Sequence, residues 1–155
     1  MHKTIAGLAA VLMLAIVVQF FLAGSGAFDT APNDESFGPH RALGYMIVLL
    51  ALLTTLTAAL ARIPGRLVGM TGLLAGLGIA QPVIAIIAKA FGDTGDTTTA
   101  GQLVFGLHAV NGLIMMGVAG RILRQARELS NSSASTVRAA VDDARAAGPT
   151  PGSAQ

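Results

Sequence analysis

The sequence predicts an all-α integral membrane four-helix bundle, and three observations carry that prediction. The 155 residues are 53% hydrophobic and only 12% charged, with a mean hydropathy of +0.67, too apolar for an ordinary soluble domain. Apolar windows at roughly 4–23, 41–61, 67–90 and 101–120 are each long enough to cross a hydrocarbon core of about 30 Å. Basic residues gather on one side. With alternating spans both termini share a side, which carries Lys3, Arg62, Arg66, Arg121, Arg124, Arg127, Arg138 and Arg145, eight of the ten Lys and Arg. The other side holds Arg41 and Lys89 beside Asp29, Asp34, Glu35, Asp93 and Asp96. This bias puts both termini in the cytoplasm, and the chain in a bacterial inner membrane. In lipid a spanning segment must satisfy its own backbone, which leaves helices; the short alternating strands of a β-barrel are absent. The pI near 9.7 follows from the cytoplasmic arginines and does not point to nucleic acid.

Window 1 has an alternative reading as a cleaved signal peptide, given Lys3 and the small residues near 24–27. Its apolar core is longer than the about 7–15 residues such signals use. An outer loop with Pro32 and three acids leads to window 2. "IPGR", 63–66, then makes a tight inner turn, so windows 2 and 3 are antiparallel neighbours. Pro82 lies inside window 3 and removes a backbone donor there, which predicts a kink. "GDTGDTTTAG" is the second outer loop. Beyond Gly120 a helix is expected to continue through "RILRQAREL", to break at "SNSSAS", and to re-form over "TVRAAVDDARAA". The domain reading is therefore a four-span unit over 1–127 and a polar, largely flexible cytoplasmic tail over 128–155.

The two halves look like a 2+2 repeat. Gly7 to Gln19 overlays Gly69 to Gln81 at an offset of 62, matching Leu12 with Leu74 and Gln19 with Gln81. "GPHRALG" and "GLHAVNG" both fit G-x-H-x-x-x-G, and match His40 with His108 and Gly44 with Gly112 at an offset of 68. Each half runs out and back, so the repeats are parallel, about an axis along the membrane normal. The axis would face His40 and His108 across the bundle. The windows as drawn put His108 roughly 10 Å deeper than His40 at 1.5 Å per residue, so the depths match only if span 2 starts deeper.

An ionisable group at membrane depth is disfavoured unless paired or ligating. Two facing imidazoles suit six-coordinate haem iron. Gly44 and Gly112, one turn below each histidine, would leave a slot for the macrocycle. Gln19 and Gln81, at similar depth, would orient an imidazole or bond helix to helix, and Asn111 invites the same two readings. Arg41 and Lys89 would pair with haem propionates or simply snorkel to the interface. All seven aromatics, Phe20, Phe21, Phe28, Phe37, Tyr45, Phe91 and Phe105, fall in the outer half, which suits pocket walls as well as an interfacial belt.

Other chemistries fit poorly. Without cysteine there is no disulfide, thiolate metal site, iron–sulfur cluster or covalent haem. No carboxylate lies inside a span, and no phosphate loop, HExxH or serine triad is present. With no catalytic constellation, an enzyme is not the expected class. A carrier would need a polar path, for which the inner half offers only Thr54, Thr55, Thr57 and Thr71.

The phrases "FFLAGSGAF", "FGPHRALGY", "PGRLVGMTGLL" and "FGLHAVNGLIMMGVAGRI" resemble an uncharacterised family of small four-span membrane proteins, mainly actinobacterial. The likeness covers about residues 5–125. More distantly, "HR" at His40–Arg41 and the placing of His108 look like one four-helix half of haem A synthase, whose second and fourth spans carry haem-ligating histidines. That resemblance implies that His40 and His108 ligate haem. The synthase's glutamate lies three residues before its first histidine, whereas Glu35 lies five before His40, and its outer cysteine pair and second half are missing.

The expectation is thus a b-type cytochrome-like protein holding one haem b near the outer face between His40 and His108, for electron transfer or haem handling. Quinone or a respiratory membrane complex would be its exchange partner, and a homo-oligomer is compatible. A quinone or carotenoid would suit the same flat slot. The alternative is a cofactor-free accessory subunit that packs or docks through its small residues.

Overall fold

The computed structural model describes residues 2–91 and 98–146. Four long helices, α1 (His2–Ala27), α3 (Gly38–Leu60), α4 (Gly65–Lys89) and α5 (Thr99–Ala146), are joined by a short α2 (Asn33–Ser36) and tight turns. All four long helices are long and apolar enough to cross a membrane, and the chain is a multi-pass membrane protein. They form a closed square. Each packs against two neighbours in the order α1, α3, α4, α5 and back to α1, while the diagonal pairs α1/α4 and α3/α5 make no direct backbone contact.

The core shows the repeat residue by residue. Ile5, Ala9, Leu12 and Ile16 are buried in α1, as are Leu67, Thr71, Leu74 and Gly78 in α4, the same positions displaced by 62; Gly26 in α1 and Ala75 and Ala88 in α4 are buried besides. Buried in α3 are Ile47, Ala51, Thr54 and Ala58; α5 buries Met115, Ala119, Ile122 and Ala126, displaced by 68, and also Gly101, Asn111 and Gly112. The spacing 4, 3, 4 is a single helix stripe, and it reads the same in both directions along antiparallel neighbours. Many of these residues are small, which lets backbones approach closely where lipid offers no hydrophobic drive between helices. At Gly78 the approach is close: an added Cβ would lie 3.2 Å from Val48 Cγ2 and 3.6 Å from Met115 Cε. Large apolar residues such as Leu14, Phe21, Leu60, Ile86 and Leu103 point outward, as a lipid-facing surface requires.

The α3–α4 turn is a Schellman cap. Ile63 N–H donates to Ala58 O (3.2 Å) and Arg62 N–H to Ala59 O (3.1 Å), with Arg62 at φ 50°. Buried Ile63 follows the capped turn and joins the core cluster that holds Ala58, the apolar contact that usually accompanies this cap. Pro64 then opens α4 with no donor to waste.

Polar groups inside the spans are spent locally. The Thr54, Thr55 and Thr57 hydroxyls donate to the carbonyls of Leu50, Ala51 and Leu53, and Thr71 to Val68. The only inner-half residues available to a carrier path are therefore committed to their own helices. α4 continues through Pro82 to Lys89.

One expectation fails. The serine stretch 130–135 does not break the helix; α5 runs unbroken for 48 residues. From 121 to 146 there is neither Gly nor Pro, and the hydroxyls bond back into the helix. Ser132 donates to Glu128 O, Ser133 to Leu129 O, Ser135 and Thr136 to Ser132 O. Serine competes with a helix only when its hydroxyl finds a better backbone partner elsewhere. The second outer loop's Asp93 and Asp96, and the tail beyond 146, lie outside the described residues.

Candidate functional site

The depth mismatch between the histidines disappears in the fold. Gln19 lies eight residues before the end of α1, yet it meets His40, the third residue of α3. His40 therefore lies about 12 Å below the end of α1, and α3 begins about 9 Å below it, at 1.5 Å per residue, with α2 and its flanks filling the step. Gly26 makes this possible: a Cβ there would lie 2.8 Å from Ser36 O and 3.2 Å from the Phe37 ring. Asp29 Oδ1 accepts from Ala31 N–H (3.0 Å) and Ser36 Oγ donates to Ala31 O (2.9 Å), which folds the connection. On the other side α5 simply starts nine residues before His108.

The two histidines meet on the axis. Their ring centroids are 6.0 Å apart with planes 46° to each other, although they sit on diagonal helices. Each is held by the helix paired with its own. His40 Nδ1 is 3.1 Å from Gln19 O, and His108 Nδ1 is 3.2 Å from Gln81 O. A carbonyl can only accept, so Nδ1 carries the proton and the neutral ring keeps its free lone pair on Nε2. That is the arrangement in which metal-bound imidazoles are usually held. Gln19 Nε2 also donates to His40 O (2.8 Å), a second bond that ties α1 to the first turn of α3.

A matched aromatic pair completes the frame. Phe37 meets His40 edge-on at 6.1 Å, and Phe105 stacks on His108 at 5.6 Å and 16°. Both lie three residues before their histidine, so the repeated phrase is F-G-x-H-x-x-x-G. The sequence reading placed these rings only in a general aromatic group; the shared offset of 68 is the signal that singles them out.

The glycines face protein. A Cβ on Gly44 would lie 3.1 Å from Gln19 Nε2; one on Gly112 would lie 3.1 Å from Phe20 Cζ and 3.4 Å from Gln81 Nε2. Gly38 and Gly106 face open space. The amide oxygens of Gln19 and Gln81 are both buried without a partner, and a buried orphan acceptor costs about 1–3 kcal/mol. Two such atoms at repeat-equivalent positions call for a donor from outside the chain. Asn111 is buried and donates to Leu77 O (2.8 Å), joining α5 to α4. Arg41 is not turned to the axis: it pairs with Asp34 (3.6 Å) and also donates to Asp34 O, both side chains being largely exposed. Lys89 is exposed at the last turn of α4.

A bound haem can be tested against this geometry. Nitrogen–metal bonds of about 2 Å on opposite faces of an ion put two imidazole centroids about 6 Å apart, the spacing found. Among the described residues no group of three or more His, Cys, Asp or Glu is gathered. The space beside Gly44 and Gly112 is filled by the ends of rotatable side chains, Gln19, Gln81 and Phe20, and these would have to swing aside to admit the ring. The donor set fits.

The family of unknown function DUF6220 matches residues 19–89, from Gln19 through His40 and Gly44 to Gln81 and Lys89. No curated protein and no solved structure matches the chain.

Proposed function

We propose that this chain is a b-type cytochrome-like protein of a bacterial inner membrane, holding one haem b between His40 and His108. The observation that carries the reading is the imidazole pair itself: centroids 6.0 Å apart, each Nδ1 tied to a backbone carbonyl so that Nε2 is free to ligate. Bound haem supplies one-electron redox chemistry. His40 and His108 hold the iron, Gln19 O and Gln81 O fix their ring orientation, and Phe37 and Phe105 shield them. Lys89, and Arg41 once released from Asp34, are the cations at this end of the bundle that would meet the propionates. The role is electron transfer, with quinone or a respiratory membrane complex as exchange partner, or haem handling.

One observation favours a second reading, a cofactor-free accessory subunit. Gly44 and Gly112 already seat the side chains of Gln19, Gln81 and Phe20, as packing seams do. Haem titration of the full chain in mild detergent separates the two. The cytochrome reading expects saturation at about one haem per chain with a six-coordinate spectrum, lost in His40→Ala and in His108→Ala. A chain that takes up no haem, with both variants folded and still bound to a membrane partner, supports the accessory reading instead.

A further inference from the structure

At the opposite, basic end a groove of about 450 Å³ runs between α4 and α5. Its lining is graded. Along α4, Arg66 is followed by Met70 and Leu73; along antiparallel α5, Val118 is followed by Arg121 and Arg124. Both helices thus put guanidiniums at the end of the bundle and apolar side chains toward its middle, within about 10 Å at 1.5 Å per residue. Among the described residues the one ion pair is Arg41–Asp34, at the other end of the molecule. The three arginines therefore converge without a carboxylate partner, and the acid on the groove, Glu128, lies one turn beyond Arg124, away from the apolar floor.

This profile is that of an amphiphile with an anionic head. A planar guanidinium grips phosphate oxygens two at a time, and basic pockets between spanning helices collect anionic lipid headgroups. We propose that the groove binds an anionic phospholipid, its phosphate between Arg66, Arg121 and Arg124 and its first methylenes along Met70, Leu73 and Val118. The site is independent of the histidine pair and stands whether or not haem is bound.

Native mass spectrometry of the full chain in neutral detergent tests it, with phosphatidylglycerol and phosphatidylcholine of the same acyl length as probes. Phosphatidylglycerol should be retained at least about tenfold better. Arg121→Gln alone should cut that preference about fivefold, from the worth of one cation at an anionic surface. The triple variant Arg66→Gln/Arg121→Gln/Arg124→Gln should abolish it. Arg138→Gln/Arg145→Gln, on the exposed part of α5, should leave it unchanged. Equal retention of the two lipids overturns the proposal, as does an equal loss in the Arg138/Arg145 variant, which would mean diffuse attraction. Displacement of phosphatidylglycerol by millimolar inorganic phosphate would overturn the lipid assignment in favour of a free-phosphate site.

Discussion

The two halves of the bundle share a buried stripe and a histidine latch, yet they reach the latch differently. In the α1/α3 half, His40 sits two residues into its helix, with α2 leading into it and the Gln19 amide donating to its carbonyl. In the α4/α5 half, His108 sits well inside α5, and Asn111 adds a bond to α4 that its counterpart Leu43 cannot make. Just below, Ile16 in one half becomes Gly78 in the other, and Phe20 is matched by Pro82. What persists through these changes is the Nδ1-to-carbonyl hold on both rings. Both halves keep this hold, while the packing around it is solved differently in each.

The largest expected break comes from Gly112→Leu. Its side chain would drive into the Phe20 ring and the Gln81 amide, and overpacking of this kind costs about 1–3 kcal/mol or more. A clear fall in the detergent unfolding temperature should accompany weakened haem uptake. The alanine pair sharpens the comparison. Gly44→Ala meets one movable amide nitrogen, so the helix-propensity gain of about 1 kcal/mol should leave it near neutral. Gly112→Ala meets an aromatic edge as well and should be the less stable of the two. A reversed order in parallel melts would mean that the two glycine faces are not what distinguishes the halves.

Asn111→Leu imposes the first half's residue on the second. Loss of the bond to Leu77 O should cost about 0.6–1.7 kcal/mol in a membrane setting, with both imidazoles still competent to bind haem. A lost haem spectrum would instead put Asn111 in the site. Smaller still is Arg62→Gly at the turn between the halves. Arg62 holds a left-handed φ of 50° that glycine adopts freely, so the variant should be stabilised by up to about 1 kcal/mol. Smallest is Arg41→Gln: its exposed pair with Asp34 is worth at most about 0.5 kcal/mol, so unfolding should not move measurably.

Much of this was legible in the chain. Hydropathy marks four spans, and the offsets of 62 and 68 match Gln19 with Gln81 and His40 with His108 in the sequence itself. Three things were not legible, each for a physical reason. The level of His40 depends on how far the 28–37 connection folds back, which the close approach at Gly26 decides and spacing does not reveal. The glycines beside the histidines promise space, but which side chain occupies it is a tertiary matter, and Gln19, Gln81 and Phe20 took it. The run of serines looked like a breaker because serine favours caps and turns; with no glycine or proline nearby, its hydroxyls found partners within α5.

The most direct test of the account is the reduced-minus-oxidised visible spectrum of membranes carrying the native chain, His40→Ala or His108→Ala at equal protein levels. The account predicts a b-type difference spectrum from the native chain and its loss from both variants alike, because neither imidazole ligates without its partner across the axis. A featureless native spectrum, or one that survives either substitution unchanged, would contradict it.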